Sequence, residues 1–139
     1  MSDIDGKLVI LRGPAGSLAR PDMPNTGPWA SLGTGWRGMT WFFPTSTDPT
    51  TLHRATKQPD GNYTFLSAFN GLAGADATKH SGSLLEQFYY KPDGDTAAGG
   101  YETWRVYEGA ENGAILAMIE YVNDEGRYFS CGLAVEIVG

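Results

Sequence analysis

The clearest pattern of apolar and polar positions lies at the carboxyl end of the chain. From Arg127 to Val138, the residues Phe129, Cys131, Leu133, Val135 and Ile137 fall on one face. Tyr128, Ser130, Gly132, Ala134 and Glu136 fall on the other. A repeat of two marks a β-strand with one face on a core, so this stretch predicts a strand of a sandwich or barrel. Ala114–Val122 precedes it, and Asn123-Asp124-Glu125-Gly126 makes the turn of a hairpin between them. Tyr101–Glu108 alternates too, with Trp104 and Val106 facing one way and Arg105 and Tyr107 the other. Glu111-Asn112-Gly113 follows it, and Asn-Gly tolerates the positive φ of a type I′ turn, which predicts a further hairpin.

The amino-terminal half is read in the same way. Lys7–Arg12 is a short apolar run and predicts the first strand. Gly13–Gly35 is rich in Gly, Pro and Ser and predicts an extended arm, too long for a simple turn, pinned by Trp29 and Leu32. Trp36–Phe43 carries β-favouring aromatics and predicts a strand closed by Pro44. Leu52–Lys57 and Asn62–Phe69 predict a pair of strands around Pro59-Asp60-Gly61, where proline presets φ and glycine accepts a positive φ. Both faces of 62–69 are apolar, which predicts a central strand. Ser83 and Glu86 match a capping box, so one short helix is expected over Leu84–Tyr90, stopped by Pro92. The expected fold is therefore mainly β: an antiparallel sandwich or barrel with one short α-helix and long Gly/Pro-rich loops. No repeat or boundary divides it, so residues 1–139 are read as one domain.

Composition adds compartment and charge. The 139 residues are 41% hydrophobic and include 19 glycines and 8 prolines, which agrees with many turns. No apolar run is long enough for a membrane helix, and acidic rather than basic residues precede the first apolar stretch, so no export signal is expected. A single cysteine, Cys131, excludes an internal disulfide and points to cytoplasmic synthesis. The net charge of −6 is uneven: residues 1–69 carry +1 and residues 70–139 carry −7. An acidic half cannot supply a basic groove for nucleic acid.

Recognisable catalytic and binding patterns are missing. Gly13-Pro14-Ala15-Gly16-Ser17 lacks the spacing and lysine of a phosphate loop. His53 reads as an exposed strand residue and His80 as a loop residue, and with Cys131 they do not make a zinc site. Asp93-Gly94-Asp95 and Asn123-Asp124-Glu125 read as solvated turns. No catalytic, cofactor or metal residue is assigned, and an enzyme is not expected. The aromatics, Trp29, Trp36, Trp41, Tyr63, Tyr89, Tyr90, Trp104 and Tyr107, have three readings: core filling, a stacking platform for sugars, or anchors on an assembly partner.

The stretch ILAMIEYVNDEGRYFSCGLAVEIVG resembles the carboxyl end of tail tube proteins of long-tailed phages and gene transfer agents. GPAGSLARPDMPNTGPWASLGTGWRG is similar to the family's start, with Trp29-Ala30-Ser31-Leu32-Gly33 in place of its Trp-x-x-Leu-Gly segment. The resemblance touches about half of the chain, and it brings no catalytic residues. It implies a virion protein of the tail, made in the host cytoplasm, that forms hexameric rings stacked into an acidic-lined DNA conduit. Its partners would be copies of itself and other tail proteins, such as the tape measure and terminator, with no membrane span and no specific grip on DNA. Trp29, Leu32 and Trp36 are the candidate assembly contacts, and Glu108, Glu111, Asp124 and Glu125 the candidate lumen or rim charges. A lectin-like carbohydrate-binding sandwich and a capsid decoration protein remain as alternatives.

Overall fold

The structure is a computed structural model. It describes residues 3–13, 18–20, 37–38, 40–42, 51–67, 71–75, 88–90, 102–108, 114–122 and 128–139. Eleven strands are found among them: β1 (Leu8–Arg12), β2 (Leu18–Arg20), β3 (Arg37–Gly38), β4 (Thr40–Phe42), β5 (Leu52–Lys57), β6 (Tyr63–Ser67), β7 (Ala73–Ala75), β8 (Phe88–Tyr90), β9 (Arg105–Glu108), β10 (Ile115–Val122) and β11 (Tyr128–Ile137). The fold is mainly β, and every strand pair is antiparallel.

The alternation at the carboxyl end builds the longest pairing. β10 and β11 are matched from Ile115–Val135 to Val122–Tyr128. β9 flanks β10 and β1 flanks β11, giving the order β4-β2-β1-β11-β10-β9, while β5 joins β1 and carries β6. Strand twist curls this eight-stranded sheet into a half-barrel. Its ends meet at one bridge, where Tyr63 N–H donates to Trp104 C=O at 2.8 Å and Trp104 N–H donates to Tyr63 C=O at 2.7 Å. Val9, Leu11, Ala55, Tyr63, Phe65, Trp104, Val106, Ala117, Ile119, Leu133 and Val135 point inward and are buried. The Phe65 and Trp104 rings meet edge to face with centroids 6.2 Å apart, a favoured aromatic geometry.

A second sheet, β3-β8-β7, packs on this core through Ala73, Ala75 and Tyr90. Trp104 fastens it further, its indole N–H donating to Ala73 C=O at 3.0 Å. The turn at Pro59-Asp60-Gly61 forms as its residues predict. Gly61 takes φ +89°, and Asn62 N–H donates to Asp60 Oδ1 at 2.9 Å.

Four expectations need correction. The strand expected to be central over 62–69 is β6, which among the described residues pairs along its length with β5 alone and meets its other side only through the bridges Tyr63–Trp104 and Leu66–Leu72; curling of the sheet buries both its faces all the same. The arm over 13–35 is not loop throughout: Leu18–Arg20 is β2, Arg12 pairs with Leu18, and Leu18 and Ala19 are buried. Two apolar residues between Gly/Pro-rich flanks suffice when strands lie on both sides to receive them. The strand expected over 36–43 is split, with Arg37–Gly38 in the small sheet and Thr40–Phe42 in the large one. Glycine at 38 suits a place where a chain leaves one sheet for another. The helix expected over Leu84–Tyr90 does not reach its end: Phe88–Tyr90 is β8, paired on both sides, and residues 84–87 lie outside the described residues. Two rows of ladder bonds and an aromatic, β-favouring run outweigh one capping box.

Trp104 joins the sheet ends, fills the interior and holds the small sheet, so Trp104→Ala is expected to cost about 3–5 kcal/mol. Urea unfolding of the two proteins measures it. A loss below 1 kcal/mol, by about the usual surface scale, would contradict the role given to this ring.

Candidate functional site

The open face of the large sheet is where exposed chemistry gathers. Alternation turns Gly132, Ala134 and Glu136 of β11 outward, opposite the buried Leu133 and Val135. Register then brings Ile10 and Arg12 of β1, Leu116 and Met118 of β10, and Arg105 and Tyr107 of β9 to the same side. Ile10 is fully buried there, as is Leu18 opposite Arg12, so this side is covered along β1 and open across β9, β10 and β11. Leu116, Met118 and Tyr107 are half-buried, and Gly132 and Ala134 are exposed. The middle of this face therefore has little polarity, whereas the solvent face of an antiparallel sheet ordinarily alternates to polar residues.

Two ion pairs frame it. Arg12 donates through Nε to Glu136 Oε2 at 2.8 Å and through Nη2 to the same oxygen at 2.7 Å. Arg105 Nη2 lies 2.8 Å from Glu120 Oε1. The Arg105 guanidinium also sits 4.8 Å from the Tyr107 ring centroid, a cation–π contact. Sequence reading missed both pairs. The Asn-Gly turn and the alternation could have placed Arg105 and Glu120 diagonally across β9 and β10, once the register was fixed.

Within these two pairs the positive and negative side chains balance. Of the eleven acidic residues in 70–139, Glu102 is buried, and Glu108, Glu120 and Glu136 lie on described strands. The other seven lie outside the described residues, in sequence between the strands. Among the candidate lumen charges, Glu108 is exposed at the end of β9, opposite Ile115. Glu111, Asp124 and Glu125 lie outside the described residues, as do Trp29, Leu32 and Trp36. Cys131 pairs with Ile119 in the β10–β11 register. Among the described residues no group of three His, Cys, Asp or Glu is placed to hold a metal ion, and no helix is long and apolar enough to cross a membrane.

His53 is not the exposed strand residue that its sequence suggested. It lies on the inward face of β5, opposite Val9 and Ser67, and is fully buried. Its Nδ1 is 2.9 Å from Thr51 C=O and its Nε2 is 2.7 Å from the Tyr90 hydroxyl. A carbonyl only accepts, so Nδ1 carries the proton and Nε2 accepts from Tyr90. The two rings also stack, with centroids 5.6 Å apart. This contact ties β5 of the large sheet to β8 of the small one. The sequence signal was slight: Leu52–Lys57 alternates, and Ala55 alone marked the side on which His53 falls.

Burial lowers the His53 pKa from 6.5 to about 4, the Thr51 carbonyl opposing this weakly. The unfolded chain therefore binds more protons between these values. Stability is full above pH 6.5 and falls by about 1.4 kcal/mol per unit towards pH 4. The difference in unfolding free energy between the native chain and His53→Gln should change by roughly 3 kcal/mol across that window. Parallel pH profiles for the two proteins would contradict the burial of a neutral imidazole.

Compared with known proteins, the chain matches no family model and no curated protein.

Proposed function

We propose that the protein is a self-assembling structural component of a virion, a tail tube subunit of the kind its sequence resembles. In that reading six copies form a ring, and stacked rings enclose a passage for DNA. The observation that carries it is the low-polarity middle of the open face, where Gly132 and Ala134 are exposed beside half-buried Leu116 and Met118. A domain that acts alone gains nothing from such a face, and a subunit gains a contact surface.

The charge distribution refines the conduit. An anionic lining repels phosphates, but the acidic groups on the open face, Glu120 and Glu136, are each paired with an arginine. The lining would be supplied by the acidic stretches between strands, Glu111, Asp124 and Glu125 among them. Sugar binding finds less support, because the half-buried Tyr107 ring on this face is already met by Arg105.

Negative-stain micrographs of the purified full chain test the reading, with rings or tubes as the expected result. A protein that stays dispersed as single subunits at every concentration, in micrographs and in sedimentation, would count against it. Trp29→Ala is expected to reduce polymerisation while leaving the thermal midpoint in place. Equal polymerisation by the two proteins would remove Trp29 from the contact.

A further inference from the structure

Among the described residues, the two ends of the large sheet are joined at one place, the bridge between Tyr63 and Trp104. Two backbone bonds make this seam. Elsewhere the sheet is held by ladders: β5 and β6 are matched from His53–Ser67 to Lys57–Tyr63, and β10 and β11 from Ile115–Val135 to Val122–Tyr128. Three positions beyond Tyr63, Leu66 bridges Leu72 instead, on the way to β7. A local opening has to break only the bonds within it, so the shortest join is where a sheet parts first. Trp104 is also fixed by its indole on the Ala73 carbonyl. The side of the seam that can move is therefore Tyr63, at the end of β6 next to the turn at Gly61.

Residues 3–7 lie against that movable end. Ile4 is fully buried in the core, while Asp3, Asp5, Gly6 and Lys7 are exposed. The Tyr63 hydroxyl donates to Asp3 Oδ1 at 2.8 Å, and the same oxygen accepts from Asp5 N–H at 2.9 Å. The Asp5 amide and then the Tyr63 hydroxyl hold the Asp3 carboxyl below its usual range. Burial, with Asp3 next, pushes the Tyr63 hydroxyl up. A neutral donor thus faces a charged acceptor, which is the stronger kind of hydrogen bond. Asp5 Oδ1 accepts from Lys57 N–H at 2.9 Å, and Lys57 is the residue paired with Tyr63. Gly6 N–H donates to Ala55 C=O at 2.8 Å, and Arg54 Nη1 donates to Gly6 C=O at 2.7 Å. The segment turns back through a bond from Lys7 N–H to Ile4 C=O at 2.9 Å, with Gly6 at φ +77°, a conformation that glycine takes freely. These bonds to the sheet land on β5 and on Tyr63, the movable side of the seam.

We propose that residues 3–7 are a clasp on the seam: the seam opens as a local unit, separate from the rest of the sheet, and release of the clasp is what lets it open. The clasp holds the end of β6 against Trp104 from outside the ladder. An open seam exposes backbone groups along two strand edges, the usual template for unwanted pairing with other chains, and the clasp keeps those edges closed. The device does not depend on the reading of the chain as a tube subunit.

Native-state amide hydrogen exchange of the full chain, read residue by residue, tests it. In the wild type the amides at 63 and 104 are expected to exchange at least about tenfold faster than the slowest amides of the β10–β11 ladder, with little dependence on urea, as befits a local opening. Two variants then loosen the clasp by different means. Tyr63→Phe removes the bond to Asp3. Gly6→Ala strains the turn, with no described atom within 4 Å of the added Cβ. Neither change removes an atom bonded to Trp104, so the amide at 104 reports the clasp rather than a lost contact. Each variant is expected to speed exchange at 104 by about fivefold. An interaction lost in both the opened and the unfolded chain raises both rates alike, so the ladder amides should quicken by a similar factor. Wild-type seam amides as slow as those of the ladder would overturn the proposal. So would a rate at 104 that stays in place in either variant while the ladder quickens, because the seam would then open with residues 3–7 still attached.

Discussion

The half-barrel depends on Trp104, because three separate needs of the fold converge there. A curled sheet leaves two edges with unpaired backbone groups, and the reciprocal bonds between Trp104 and Tyr63 join those edges. The interior of a curl this tight needs a large side chain, and the indole lies against Phe65. The small sheet needs a fixed seat, and the indole N–H supplies one at the Ala73 carbonyl. His53 and Tyr90 repeat the last device from the other sheet. Both are buried hydrogen bonds between sheets, and a buried polar group without its partner costs more than the bond itself contributes. They therefore fix which way the sheets pack, where apolar contact alone would tolerate sliding.

An interior committed to packing sends function to the surface. His53, among the described residues a buried group with acid–base character near the physiological range, already has both ring nitrogens occupied and has no access to solvent. Its role is cohesion, and its acid sensitivity is a by-product of keeping an imidazole dry. Among the described residues, the feature left for an external partner is the outward side of β9, β10 and β11. Its middle is low in polarity and its two ion pairs balance, whereas seven of the eleven acidic residues in 70–139 lie outside the described residues.

Much of the fold was legible because alternation is a local property. The inward and outward positions of β11 and β9, the limits of β5 and the turn at Gly61 all follow from a few neighbouring residues. The misreadings arose where a distant partner decided the outcome. Phe88–Tyr90 becomes a strand because β3 and β7 lie on either side of it. Leu18–Arg20 becomes one because β1 and β4 receive it. His53 is buried because Tyr90, 37 positions away in sequence, offers a hydroxyl. The candidate face was hidden for the same reason. Arg12 and Glu136 are 124 positions apart, and only the pairing of the first strand with the last makes them neighbours.

That pairing also bears on why the face exists. β11 runs through the middle of the large sheet, with β1 and β10 on either side. A central strand has no free edge through which to meet another chain, so its contacts must come through a face. Its inward face is spent on Leu133 and Val135. Between 132 and 137, what remains outward is Gly132, Ala134 and Glu136, small at the first two positions. An added Cβ at 132 would meet Met118 Cε at 3.7 Å and Ala117 O at 4.0 Å, ordinary van der Waals contact, so the described neighbours do not themselves demand glycine there. On the proposed reading as an assembly subunit, this bare centre between two ion pairs is the surface the strand can offer to another copy.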